Sequence, residues 1–144
     1  MPDQNVTLVY EKDELLLLAN AFNELTNGIR WTDLELERSA GCSAAKVREI
    51  HESISDLYDL LFLGGASTAA LRNHRWQPQW RTATAALAVG ASEIVCMAAA
   101  VREVLSGRHI PLAAFHARLG VDEEVASRLL SRFDAAIRFS RSDH

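Results

Sequence analysis

Apolar residues recur three or four positions apart in the first long segment of this chain. Leu15, Leu18, Ala19, Phe22 and Leu25 follow this spacing. Side chains at this spacing lie on one face of an α-helix, so the face is expected to pack inward. The acidic sequence EKDE at the start of the segment favours the positive end of the helix dipole. The pattern predicts an amphipathic helix that forms part of a helical core.

Glycine and capping residues divide the remaining pattern into further helices. Gly28 is expected to end the first helix in a left-handed conformation, and Gly107 has the same role in a later segment. A short second helix is expected over about 32–39. Ser43 and Asp122 have side chains that cap helix N-termini, so a longer helix is expected directly after each of them.

The helical pattern repeats itself without a gap. Residues 14–58 align with residues 93–137, so ELLLLANAFNELTNG lies opposite EIVCMAAAVREVLSG. Six of the 45 aligned pairs are identical, and the apolar positions agree more widely. The identical pairs are Glu14/Glu93, Ala19/Ala98, Ala21/Ala100, Glu24/Glu103, Gly28/Gly107 and Gly41/Gly120. We predict an internal duplication.

These patterns predict an all-α fold, a pseudo-twofold bundle of two tandem three-helix repeats with a helical connecting segment. Pro78 is expected to begin a helix in that segment, because the missing N–H of proline costs nothing in a first turn. Val6, Leu8 and Tyr10 alternate ahead of the first helix and form either a short edge strand or an extended arm. The single domain 1–144 then comprises repeat 1 at about 11–62, a basic, tryptophan-containing connector at about 63–91 and repeat 2 at about 92–140.

Composition places the chain among ordinary globular domains, with 49% hydrophobic and 24% charged residues. The net charge of −4 is unevenly distributed. Residues 1–62 hold 5 basic and 12 acidic residues, residues 63–92 hold 3 basic residues and no acid, and residues 93–144 hold 7 of each. The first repeat is therefore acidic and the connector is basic.

The N-terminal sequence MPDQNVTLVYEKDE has no basic region followed by an apolar stretch, so no secretory signal is expected. Cys42 and Cys96 align with apolar residues of the other repeat and are interpreted as buried small hydrophobic residues rather than a bridge. Both observations favour a cytoplasmic location. The most lipid-like stretch, 83–101, is rich in alanine and carries Glu93 near its centre, where a charge is costly in hydrocarbon, so it is interpreted as a buried helix and no membrane association is expected.

The segment AFHARLGVDEEVASRLL resembles a helix-turn-helix, and the first repeat has the same frame around AGCS. In that family the first turn of the third helix enters the major groove of DNA. The corresponding residues are Ala44, Ala45 and Lys46 in one repeat and Glu123, Glu124 and Ser127 in the other. Carboxylates at this position oppose phosphate binding. A tandem helix-turn-helix regulator is therefore the alternative, and the frame is interpreted first as a way of packing helices.

A second resemblance covers most of each repeat. ELLLLANAFNELTNG together with RLGVDEEVASRLL is similar to small bacterial proteins with an ELxxLxNALNEVxNG…RLGVxxEEAxxLL pattern. That group resembles toxin-neutralising immunity proteins, which implies a protein partner and no catalytic residues. The chain departs from the pattern at Phe22, Leu25 and Thr26, and its second repeat lacks the asparagines.

Asn20, Asn23 and Asn27 lie with Glu24 on one helical stripe, although asparagine is a mediocre residue inside a helix. Two interpretations remain open. The amides hydrogen-bond the following loop, or they form a stripe that binds a partner. Glu24 and its counterpart Glu103 are expected to accept backbone N–H groups from the loops that follow their own helices.

The connector interleaves basic and aromatic residues, namely Arg72, Arg75, Trp76, Trp80 and Arg81. This composition is used to clamp single-stranded nucleic acid. The preferred interpretation is that the tryptophans pack between the repeats while the arginines neutralise the acidic first repeat. A dimer interface at this segment is a third possibility.

The sequence contains no HExxH, CxxC, phosphate-binding glycine loop or nucleophile-elbow motif, so neither an enzyme nor a cofactor is predicted. We expect a non-enzymatic protein-binding module, most concretely an immunity-type inhibitor of a basic toxin. Glu35, Glu37 and Glu52 are the predicted partner-binding carboxylates, with the three asparagines as a second candidate surface.

Overall fold

The computed structural model describes residues 4–29, 31–63, 68–81 and 83–142, which form a largely helical molecule with a small sheet. The helices are α1 (Lys12–Asn23), extended by a π turn at Glu24–Gly28, α2 (Asp33–Ala40), α3 (Ala44–Phe62), α4 (Thr68–Asn73), α5 (Ala91–Leu105), α6 (Phe115–Leu119) after a short 3-10 turn at Leu112–Ala114, and α7 (Glu123–Ser142). The strands are β1 (Asn5–Glu11), β2 (Gln79–Arg81) and β3 (Thr84–Gly90). The predominantly helical prediction is confirmed, but an all-α fold is not.

The connector is where the sequence prediction is wrong. Among the described residues between α3 and α5, only α4 is helical, Pro78 precedes strand β2 rather than a helix, and strand β3 comes next in the chain. Ala85, Leu87 and Val89 on β3 are buried at every second position. This period of two is that of a half-buried strand, although the many alanines suggest a helix. Pairing on both sides of β3 outweighs the helical propensity of alanine.

The three strands form an antiparallel sheet in the order β1-β3-β2. VTLVY lies in β1, one of the two edge strands, which settles the choice left open by the sequence. Leu8 lies opposite Leu87 at the centre of the β1–β3 pair. Tyr10 is fully buried, while Val6 and Leu8 pack partly against the core. One face of the sheet therefore covers the helices.

Several bounds recur at the offset found in the sequence. Strand β1 at 5–11 leads directly into α1, and β3 at 84–90 leads directly into α5, each 79 residues later. Gly41 and Gly120 end α2 and α6 with left-handed φ angles of 73° and 79°. The duplication itself stays a prediction, because the bounds alone do not establish matching helix crossings.

Gly28 differs from its counterpart in conformation. Gly107 has a φ of 76°, as expected of a left-handed cap, whereas Gly28 lies in the π turn with an ordinary φ. A Cβ atom on Gly28 would lie 2.1 Å from Oε2 of Glu24. Glycine is therefore present at position 28 because the carboxylate lies against its Cα, and the predicted left-handed cap is wrong there.

Helix α5 lies at the centre of the core. Ile94, Met97, Val101 and Val104 are each at most 1% exposed. The α5 helix packs against α1, α2 and α7 and so connects the two halves of the chain.

Within the described residues, no helix is both long and apolar enough to cross a bilayer.

Candidate interaction surface

The outward face of α3 carries a row of carboxylates that we call the acidic stripe: Glu52, Asp56 and Asp59, all exposed. Helical periodicity places it there. Val47, Ile50, Ile54 and Leu57 on the opposite face are fully buried. Burying that face directs the polar positions of the same helix towards solvent.

The acidic stripe lacks counterions among the described residues, unlike several acidic residues close to it on α2 and α3. Elsewhere in the first half, Glu49 contacts Nη1 of Arg75 at 2.9 Å and Nζ of Lys46 at 3.8 Å. Asp33 contacts Nη2 of Arg48 at 2.8 Å. In the part of the chain that the structure describes, no ion pair involves a carboxylate of the acidic stripe. Its negative charge is therefore not cancelled within this part of the molecule.

Apolar side chains lie at the C-terminal end of the acidic stripe. Leu60 and Leu63 line a shallow depression of about 530 Å³ together with Asp56 and Asp59. Leu63 is 70% exposed. The surface thus combines unpaired carboxylates with an exposed apolar group.

Two of the three predicted partner-binding glutamates are used within the fold. Oε1 of Glu35 accepts the backbone N–H of Thr32 at 3.0 Å, and the Thr32 hydroxyl accepts from the Glu35 backbone at 3.2 Å. The backbone hydrogen bond from Thr32 lowers the pKa of Glu35. Oε2 of Glu37 accepts from the N–H of Ala44 at 2.9 Å, at the start of α3. Of the three, only Glu52 remains in the open acidic surface.

The three asparagines have different roles. Nδ2 of Asn20 donates to the carbonyl oxygen of Leu119 at 2.8 Å and so caps the end of α6 from the other half of the chain. Asn23 and Asn27 are exposed and joined to each other at 3.0 Å. Asn20 is therefore structural, through α6 rather than through the following loop.

Glu24 and Glu103 are buried at 8% and 6% exposure, and each has arginine as a partner. Glu24 pairs with Arg118 through both Nε and Nη2. Glu103 accepts from Nη2 of Arg108 at 2.7 Å and lies 3.3 Å from Nε2 of His109. The expected backbone donors are replaced by guanidinium groups, since a charged donor matches a buried carboxylate more strongly. Helical periodicity gave no signal for Arg118, which is 94 residues from Glu24.

The basic connector neutralises a third buried carboxylate, Glu93, which is 6% exposed. Arg75 pairs with it directly, Nζ of Lys46 lies 3.4 Å away, and Nε1 of Trp76 donates to it at 3.3 Å. Arg75 also pairs with Glu49 of the first repeat, so this one connector arginine neutralises carboxylates of both repeats.

The residues predicted to contact nucleic acid have different surroundings in the structure. Trp76 is 2% exposed and Arg75 is paired, so neither presents a free surface. Trp80 is 38% exposed, with its ring 5.2 Å from that of Phe62. Arg72 is exposed on α4, and the side chain of Arg81 lies outside the described residues.

The helix-turn-helix positions are likewise poorly placed for DNA. Ala44 is buried, and Lys46 is directed to Glu93. Glu123 and Glu124 are exposed in the first turn of α7. This turn would bring negative charge to phosphate.

Over the described residues, His, Cys, Asp and Glu side chains form no group of three that could hold a metal ion. No family model, curated protein or solved structure matches this chain.

Proposed function

We propose that this protein is a non-enzymatic binding module that captures a basic partner protein through the acidic stripe. The observation that carries the proposal is the contrast between this stripe and three neighbouring carboxylates on α2 and α3. Asp33, Glu37 and Glu49 are engaged by groups of the fold, whereas the carboxylates of the acidic stripe have no ion pair among the described residues. Their field remains open to a partner.

Charge and apolar area would act at different stages of binding. Unpaired carboxylates speed the encounter with a basic surface, and this effect weakens with added salt. Leu63, beside Asp59, supplies apolar area that a partner can cover, which slows dissociation. The proposal therefore assigns association to the carboxylates and retention to the leucine.

The resemblance to immunity proteins supports a more specific form of the proposal, in which the partner is a toxin. A basic toxin encoded next to this gene is expected to stop inhibiting growth when this chain is co-expressed. If every neighbouring gene product is harmless, the toxin form is rejected, while capture of a basic partner is tested separately.

Affinity capture from the native host tests the binding surface. Three baits are compared: the unmodified chain, Glu52→Lys/Asp56→Lys, and Glu123→Lys/Glu124→Lys as a control with the same change in charge. We expect a basic protein, identified by mass spectrometry, on the first and third baits and its loss from the second. Equal recovery on all three baits would locate binding elsewhere.

Association rates measured with the purified partner distinguish a loss of electrostatic attraction from damage to the fold. We expect the α3 variant to lower the association rate at least about tenfold at low salt, with a smaller effect at high salt. Circular dichroism and thermal unfolding should match the unmodified chain, because the altered carboxylates are exposed and form no ion pair with the described residues. An unchanged association rate in a folded variant contradicts the proposal.

A further inference from the structure

Two cysteines from different halves of the chain lie in direct contact. Sγ of Cys42 is 2.8 Å from Sγ of Cys96, and both are free thiols. A disulfide bond is about 2.05 Å long, so the sulfurs need to approach by less than about 1 Å. They are 54 residues apart in sequence, so their contact is produced by the packing of α2 against α5.

Both cysteines have well-defined positions. Cys42 follows Gly41, the left-handed end of α2, and precedes Ser43, whose hydroxyl accepts the N–H of Lys46 at 3.1 Å to cap α3. Cys96 lies within α5 and is 1% exposed. Neither cysteine lies near an end of the chain, so the short distance between the two sulfurs is a property of the folded chain.

We propose that Cys42 and Cys96 form a reversible intramolecular disulfide, an oxidation site that links the α2–α3 turn to α5. The proposal goes beyond the binding function and does not depend on it. The oxidant we assign is a low-molecular-weight disulfide of the glutathione class. Cys42 is the half-buried member, so it is the sulfur that such a molecule reaches first.

The chemistry is two successive thiol–disulfide exchanges. The thiolate of Cys42, formed by release of its proton to solvent, attacks one sulfur of the small disulfide, forms a mixed disulfide and releases one small thiolate, which takes up a proton from solvent. The sulfur of Cys96 then attacks the sulfur of Cys42, which breaks the mixed disulfide and releases the second thiolate. The proton of Cys96 passes to that departing thiolate. Overall, two protein thiols are oxidised to one disulfide and one small disulfide is reduced to two thiols.

The environment of Cys96 assigns it the second step. Burial raises the pKa of the Cys96 thiol, and the nearby Cys42 and Glu93 act in the same direction. A buried, protonated thiol is a poor first nucleophile. Once Cys42 carries the small thiol, the short distance between the two sulfurs favours ring closure over release.

Glutathione redox buffers test the site in the full chain. The chain is equilibrated at increasing ratios of oxidised to reduced glutathione, quenched, alkylated and weighed by mass spectrometry. We expect both alkylation sites to disappear together, with a mass lower by two hydrogen atoms and no covalent dimer. Cys96→Ser should instead accumulate a mixed disulfide, and only at an oxidised glutathione concentration at least about tenfold higher. Cys42→Ser should remain unmodified while folded.

Thermal unfolding supplies a readout that needs no variant. The oxidised chain should unfold on the order of 5–10 °C above the reduced chain, because the disulfide restricts the unfolded ensemble. Reduction with dithiothreitol should restore the lower value. The proposal is overturned if both thiols stay alkylatable at ratios that modify Cys96→Ser, or if the unmodified chain accumulates the mixed disulfide or covalent dimers.

Discussion

His74 connects two backbone groups through its ring. Nδ1 accepts the N–H of Trp76 at 3.1 Å, and Nε2 lies 3.1 Å from the carbonyl oxygen of Ser53, to which it donates. The neutral ring satisfies both groups, whereas a proton on Nδ1 would face another donor. Burial lowers the pKa of His74, and it also lowers that of His51.

These two histidines predict how stability depends on pH. The unfolded chain binds protons near the ordinary histidine pKa of 6.5, while the folded chain binds them only at lower pH. The unfolded state therefore holds more protons in this range, and the unfolding free energy should fall as pH drops from about 7 towards 5.5. Each histidine contributes at most about 1.4 kcal/mol per pH unit.

Urea denaturation at several pH values measures this slope. His51→Gln and His74→Gln should each reduce it, and the double variant should be the least pH-dependent. The slopes of unfolding free energy against pH are compared, because the substitutions also remove hydrogen bonds of the histidines and so lower stability at every pH. A double variant with the slope of the unmodified chain would assign the pH dependence to other groups.

At the scale of elements, the turns after α2 and α6 share a left-handed glycine but differ in their surroundings. A Cβ on Gly41 would meet nothing within 4 Å. A Cβ on Gly120 would lie 3.2 Å from Nδ2 of Asn20 and 3.2 Å from Cδ2 of Leu16. We expect Gly41→Ala to lower the unfolding free energy by about 1–2 kcal/mol through backbone conformation alone. Gly120→Ala should lower the unfolding free energy by at least about 1 kcal/mol more than Gly41→Ala does.

Chemical denaturation checks this matched pair. The double variant Asn20→Ala/Gly120→Ala should lose less unfolding free energy than the two single variants together, since Asn20→Ala removes one of the two atoms that the new Cβ would meet. Equal costs at the two glycines would mean that the contacts of Gly120 do not matter for stability.

At the scale of the whole molecule, charge separates the two candidate functions. The chain carries a net charge of −4, and exposed Glu123 and Glu124 occupy the position that would read DNA. We predict no duplex binding tighter than about micromolar near 0.15 M salt. Fluorescence anisotropy with random duplexes and footprinting on host promoter fragments measure this. A nanomolar footprint on one operator would favour the tandem helix-turn-helix alternative.

The sequence by itself determined the elements whose signal is local. The starts of α2, α3 and α7 and the left-handed conformation of Gly107 follow from periodicity, capping and turn chemistry within about ten residues. These interactions operate between neighbours in the chain, so the pattern alone is enough to predict them.

Only the tertiary structure decided the features that join distant segments. Strand β3 lies in an alanine-rich segment and exists because it pairs with β1 and β2. Arg118 reaches Glu24 across 94 residues, and Cys42 reaches Cys96 across 54. The acidic stripe has no counterion among the described residues, while Arg75 of the connector pairs with Glu93 and Glu49 instead. Such pairings depend on where packing brings each helix, and no local pattern in the sequence encodes that choice.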